Sequence, residues 1–130
     1  GAFPRMVTPF KMYAGGYIGT GMQGFPWIHI QDVIRALLFL LDHEEISGAV
    51  NVCAPDIVNN KTFGKYLATA LDKPYGLPLP AFLLKIGMGE SAMLLLEGQN
   101  VTPKKLLDAG FAFAFPETEQ AIRQLLDLSK

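Results

Sequence analysis

The stretch Pro26 to Asp42, PWIHIQDVIRALLFLLD, decides the fold. Trp27, Ile28 and Ile30 are β-formers, so a short strand is expected at its start. Asp32 then stands where a helix N-cap belongs. Behind it Val33, Ile34, Ala36, Leu37, Leu38, Phe39, Leu40 and Leu41 form an almost unbroken apolar run. A helix that is apolar nearly all round is expected to be buried, not laid on a surface. Roughly three turns at about 1.5 Å per residue are too short to span a bilayer. The stretch therefore reads as a core helix entered from a strand, in a soluble α/β domain.

Downstream, His43, Glu44 and Glu45 end the helix and Ser47-Gly48 makes a turn. Ala49 to Ala54, AVNVCA, alternates and is β-branched, the composition of a buried parallel strand. Strand, helix and strand together fit a βαβ unit. From Asn60 a helix is expected, because Phe63, Tyr66, Leu67, Ala70 and Leu71 recur at helical spacing. Pro74, Pro78 and Pro80 frame an extended piece, Gly76 to Leu79, suited to a sheet edge. Two apolar helices follow, Ala81 to Ile86 and, capped by Ser91, Ala92 to Leu96. Glu97 to Asn100 is a polar loop, and Thr102-Pro103 reads as a cap followed by an N1 proline. Gly110 ends that short helix at the αL position. Phe111, Phe113 and Phe115 alternate with alanines as a strand, and Glu117 or Thr118 opens a final amphipathic helix.

Upstream, Gly15, Gly16, Gly19 and Gly21 make a flexible connection up to Gly24. Met6, Val7, Phe10 and Tyr13 share one helical face, which Pro4 and Pro9 interrupt. The same residues read equally as the end of an element that begins earlier.

The 130 residues are half hydrophobic and 18% charged, which excludes a disordered chain and allows one domain with a core. The formal net charge of −1 leaves no electrostatic footprint for nucleic acid or an anionic membrane. The single cysteine, Cys53, allows no internal disulfide and fits a reducing compartment. No stretch reads as a signal peptide or a membrane span, so cytoplasm or an organelle matrix is expected.

Little chemistry is written in the motifs. Gly16 to Gly21 invites a phosphate-loop reading, but a strand follows it where a dinucleotide loop needs a helix. Cys53 inside a strand is a small buried apolar residue, and two histidines with one cysteine give no metal-ligand spacing. His29 faces away from Ile28 and Ile30, together with Trp27, as either a hydrogen-bonded structural histidine or a cleft-lining one. Gln23 and Gln99 sit in glycine-containing loops, exposed to solvent or in contact with a ligand.

WIHIQDVIRALLFLL, SGAVNVCAP, LPLPAFLLKI and LLLEGQNVTPKKLLDAGFAFAFPETEQAI, in that order, resemble the C-terminal half of one family. These are the atypical extended short-chain dehydrogenase/reductases of the NAD-dependent epimerase/dehydratase-like, sugar-nucleotide epimerase group. The resemblance runs from about Ala2 to Leu126. It implies an α/β fold: partial Rossmann-type strand-helix units plus the small C-terminal substrate domain. His29 and Asp32 match the family's His-aliphatic-x-Asp segment, with Asp32 as helix cap. The family's N-terminal portion binds NAD(P), and its glycine loop is missing from this sequence. Its Tyr-x-x-x-Lys pair is missing too: Tyr13, Tyr17, Tyr66 and Tyr75 are followed four places on by Tyr17, Gly21, Ala70 and Leu79. Met22 stands where relatives often carry a basic or polar residue.

The expectation is thus a C-terminal, substrate-binding portion, residues 1–130, of an NAD(P)-dependent epimerase-like oxidoreductase, not catalytic by itself. Gln23, His29 and Gln99 are the expected substrate contacts, with neither cofactor nor metal held here. A small-molecule substrate is expected in the whole protein, and self-association in the isolated portion. The alternative is a non-catalytic interaction or regulatory module that keeps the fold.

Overall fold

The computed structural model describes residues 2–76, 98–99 and 101–128. Their helices are α1 (Ala2–Lys11), α2 (Ile30–Leu41), α3 (Asn60–Leu71), α4 (Lys104–Asp108) and α5 (Thr118–Leu128). The helices expected over Ala81 to Ile86 and Ala92 to Leu96 lie outside the described residues, as does the extended piece beyond Gly76.

The helices form for local reasons. In α1, Pro4 falls in the first turn, where a missing N–H costs nothing. Pro9 sits two residues from the end, and Val7 and Phe10 turn into the core. In α3 the Asn59 side chain accepts the Thr62 N–H at 2.8 Å, and Asp72 closes the helix in the αL conformation at φ +55°. The short α4 is entered through Pro103 itself, without the side-chain cap expected from Thr102. Gly110 ends it as expected, at φ +85°.

Two cores result. Val7 and Phe10 of α1, Val58, Phe63, Leu67 and Ala68 of α3 and its approach, and Ile122 and Leu126 of α5 form the larger one. Ala36 of α2, Leu106 of α4 and Phe111 form the smaller, with Phe39, Leu40, Val50, Val52 and Phe113 packed against it.

Three expectations are corrected. Among the described residues no strand ladder forms; Gly24 and Asn59 make an isolated antiparallel bridge. The expected strands at Trp27 to Ile30, Ala49 to Ala54 and Phe111 to Phe115 are not ladder-paired, and Ile30 already belongs to α2. One hydrogen bond, Ala54 N–H to Trp27 O at 2.7 Å, joins the first two. Strand propensity describes a fit to a half-buried pleated surface; it makes no sheet without neighbouring strands.

The second correction concerns α2. Its apolar run is not covered all round: Ile30, Ile34, Leu37, Leu38 and Leu41 are 53–76% exposed. Its N-cap is His29, whose Nδ1 accepts the Gln31 N–H at 3.0 Å, and Asp32 lies inside the first turn. The third concerns the glycine connection, which is tied down. Lys61 N–H donates to Gly21 O at 2.8 Å, Asn60 N–H to Gln23 O at 3.0 Å, and Gly76 N–H to Gly15 O at 2.8 Å. The Asn60 side chain accepts the Ile18 N–H at 2.7 Å. The first turn of α3 thus spends its amides on the loop rather than on a phosphate. Among the described residues no helix is long and apolar enough to cross a membrane.

Candidate substrate-side surface

The segment from Gln23 to Asp32 organises the polar chemistry. It runs from the pinned glycine loop, through a stretch without helix or strand, into the first turn of α2. At its start two loops touch. Gly98 has φ +63°, and a Cβ there would collide with Gly24 O and come within 2.8 Å of Gln23 Cβ. Only glycine allows so close an approach. The Gln99 N–H then donates to Gly24 O at 3.2 Å. Two of the three expected site residues, Gln23 and Gln99, are therefore brought together. Gln99 is exposed; Gln23 is half-buried and steadied by its Nε2, which donates to Ile18 O at 3.0 Å.

His29 stands apart from that rim. Its ring is fully buried. Nδ1 is committed to the Gln31 amide, which leaves Nε2 as the N–H that donates to Gln124 Oε1 at 2.5 Å. The ring also stacks on Phe115 with 4.1 Å between centroids. Of the two readings open in the sequence, these contacts describe the structural one.

Asp32 is the second buried polar group, with no exposed surface. Its Oδ1 accepts from Ala114 N–H at 2.8 Å and its Oδ2 from Phe115 N–H at 2.9 Å. Arg35 adds an ion pair at 2.9 Å, from a side chain that is 44% exposed. A carboxylate with two amides and a guanidinium is well satisfied in a dry site. Asp32 thus holds the 111–115 segment onto α2, more than 80 positions away in sequence by the spacing of those bonds (82 and 83).

Sequence reasoning missed a parallel clasp. Asp56 Oδ2 accepts both the backbone N–H and the hydroxyl of the buried Thr118, at 2.9 and 2.7 Å, fixing the start of α5. Pro55-Asp56 reads only as a strand breaker, and nothing local announces a partner 62 residues on.

Beside this polar spine lies an apolar cleft of about 620 Å³, bordered by Phe3 and Met6 of α1, Trp27, Val33 of α2, and Ile122 and Leu125 of α5. Trp27 Nε1 is buried there without a hydrogen-bond partner. Cys53 is buried, its Sγ 3.6 Å from Val101 O, and burial pushes its thiol up. A group so placed is a poor nucleophile. Tyr75 donates to Lys61 O at 2.8 Å, and burial with the nearby Tyr17 pushes its hydroxyl up to about 12. A Tyr75 hydroxyl raised that far keeps its proton at neutral pH. Among the described residues no three His, Cys, Asp or Glu side chains converge on a metal position.

Over 97% of its length the chain is a homologue of epimerase family proteins. It is 41% identical over 126 residues to the epimerase family protein YfhF of Bacillus subtilis, covering 42% of that protein. To the epimerase family protein SDR39U1 of Mus musculus it is 38% identical over 127 residues, 43% of that protein. The crystal structure of human epimerase family protein SDR39U1 (isoform 2) with NADPH superposes with a TM-score of 0.92 at 36% identity. That match covers 98% of this chain and 43% of the human one. A nucleoside-diphosphate sugar epimerase from Corynebacterium glutamicum gives 0.70 at 27% identity, over 94% of this chain and 22% of that one. A family model described as a domain of unknown function, DUF1731, matches residues 79–125. The chain thus spans a little over two fifths of the curated relatives it matches.

Proposed function

We propose that this chain is the substrate-facing, C-terminal portion of an NAD(P)-dependent, epimerase-like oxidoreductase, and that it does no chemistry alone. The observation that carries the reading is the 0.92 superposition on part of a protein solved with NADPH. A nicotinamide, bound by the rest of the protein, would supply a hydride acceptor or donor for a carbinol or carbonyl carbon. This chain would supply the opposite wall. Gln23 and Gln99, neighbours at the Gly24–Gly98 contact, offer amide groups to a polar small molecule. His29 would act from behind as a positioning residue, since its two nitrogens are engaged by Gln31 and Gln124.

The test is a titration with NADPH followed by nicotinamide fluorescence. One sample is this chain; the other is a chimera in which it replaces the matching part of the Bacillus subtilis relative. Binding by the chimera and none by the chain alone is the expected result. A folded chimera blind to NADPH, or tight binding by the chain alone, would overturn the reading. In the chimera, Gln23→Ala and Gln99→Ala should leave NADPH binding intact and slow reduction of whichever carbonyl compound it turns over.

A further inference from the structure

Asn60 carries a side chain that its own helix does not need. It is the first residue of α3, and the cap is already supplied by Asn59, whose carboxamide accepts the Thr62 N–H at 2.8 Å. Asparagine is mostly a surface residue, yet Asn60 is only 8% exposed. A buried carboxamide is costly unless it is bonded. Its Oδ1 accepts the Ile18 N–H at 2.7 Å, 42 positions back in sequence.

That bond closes a ring. The Ile18 C=O accepts from Gln23 Nε2 at 3.0 Å and from Gly21 N–H at 2.9 Å. Gln23 O in turn accepts the Asn60 backbone N–H at 3.0 Å. Asn60, Ile18 and Gln23 are thus bonded each to the other two. A carbonyl oxygen can only accept, so the nitrogen end of the Gln23 carboxamide faces Ile18. The Ile18 backbone therefore sets the orientation of the Gln23 amide, and the Asn60 side chain holds that backbone. Gly21 lets the loop come this close: its φ is +72°, and a Cβ there would lie 2.7 Å from Lys61 Cβ.

We propose that Asn60 is a positioning residue for substrate recognition: acting through Ile18, it holds the Gln23 carboxamide at the rim where Gln99 meets Gly24. The proposal rests on the functional reading above, which makes Gln23 a substrate contact, and adds the residue that orders this contact in advance. A polar group already oriented binds better, because its ordering does not have to accompany binding. The same ring sets α3 aside as an anion site. Its first four amides donate to Gln23 O, Gly21 O, the Asn59 side chain and Asn59 O, which leaves none for a phosphate.

The test uses the Bacillus subtilis chimera with Asn60→Ala, Asn60→Asp, Gln23→Ala and the double variant Asn60→Ala/Gln23→Ala. Backbone hydrogen exchange is followed by mass spectrometry, and NADPH-dependent reduction of phenanthrenequinone, a planar diketone, by absorbance. In Asn60→Ala, residues 16–24 should exchange at least about tenfold faster, while α5 keeps its protection. Its kcat/KM for the quinone should fall about tenfold, as far as in Gln23→Ala, with NADPH affinity unchanged. The double variant should be no worse than Gln23→Ala, because both changes remove one arrangement. Asn60→Asp keeps an acceptor for Ile18 and should recover most of both losses. Gly21→Ala breaks the ring from the loop side, should give the same pattern, and serves if Asn60→Ala does not fold. Unchanged exchange over 16–24 would overturn the proposal. So would losses that multiply in the double variant, faster exchange with parental turnover, or equal damage from alanine and aspartate. A parent chimera that neither binds NADPH nor reduces the quinone fails the functional reading, and the role falls with it. A working parent whose Asn60→Ala variant matches it overturns the role alone.

Discussion

The two sides of α2 are built to different ends. Its N-terminal, inward side is sealed: His29 and Asp32 are wholly buried, and every polar atom named on them has a partner. Its outward side carries five large aliphatic side chains that are each more than half exposed. Both sides come from one apolar sentence of sequence. The difference teaches that hydrophobicity sets how much of a helix must be covered, whereas long-range polar contacts set which side is covered first. Buried polar groups are costly unless satisfied, so the sealed side has one arrangement. The open side has none of that specificity.

The sharpest way to break this comparison is at Asp32. Asp32→Ala would orphan the amides of Ala114 and Phe115 and free Arg35. The expected loss is about 3 kcal/mol or more, read from urea melts. Asp32→Asn keeps one acceptor but turns an N–H₂ toward a donor, and should fall between. A loss near 1 kcal/mol for alanine, the size of a simple cap, would restore the capping role read from sequence. His29 comes next. His29→Ala removes the cap on α2, the Gln124 bond and the Phe115 stack, and should cost about 2 kcal/mol in thermal melts. His29→Asn, a good cap, should recover part of it. If alanine is tolerated without loss, the inward side is not held as described. The smallest effect is expected on the open side. Leu41→Lys, at a residue 76% exposed, should change stability by no more than about 0.5 kcal/mol in the same melts. A loss of several times that would mean the face is already covered.

Much of the local structure was legible. The spacing of Phe63, Leu67 and Leu71 announces α3, Gly110 marks the end of α4, and Thr118 opens α5. Helices declare themselves in a single stretch because their hydrogen bonds are local. Strands do not: AVNVCA and FAFAF carry the right residues, and among the described residues neither finds a ladder. Asp32 shows a second limit. An acid before an apolar run has the signature of a cap, yet its carboxylate serves amides 82 and 83 residues away. Only the fold brings those together. The arrangement of the candidate residues was half legible for the same reason. Gln23 and Gln99 stand out as polar residues among glycines, but their meeting depends on Gly98 approaching Gly24. His29 stood out as an oddity in an apolar stretch, and its commitment to Gln31 and Gln124 is a tertiary fact.

The most direct test of a helix closed on one side and open on the other compares two cysteines two residues apart. Ala36→Cys places a thiol at a position with no exposure, and Leu38→Cys places one at a position 58% exposed. Both are labelled in this chain by the same maleimide, under native conditions. The account expects position 38 to react at least about tenfold faster, because position 36 is reached only through opening of the structure. Equal rates, or faster reaction at 36, would contradict it.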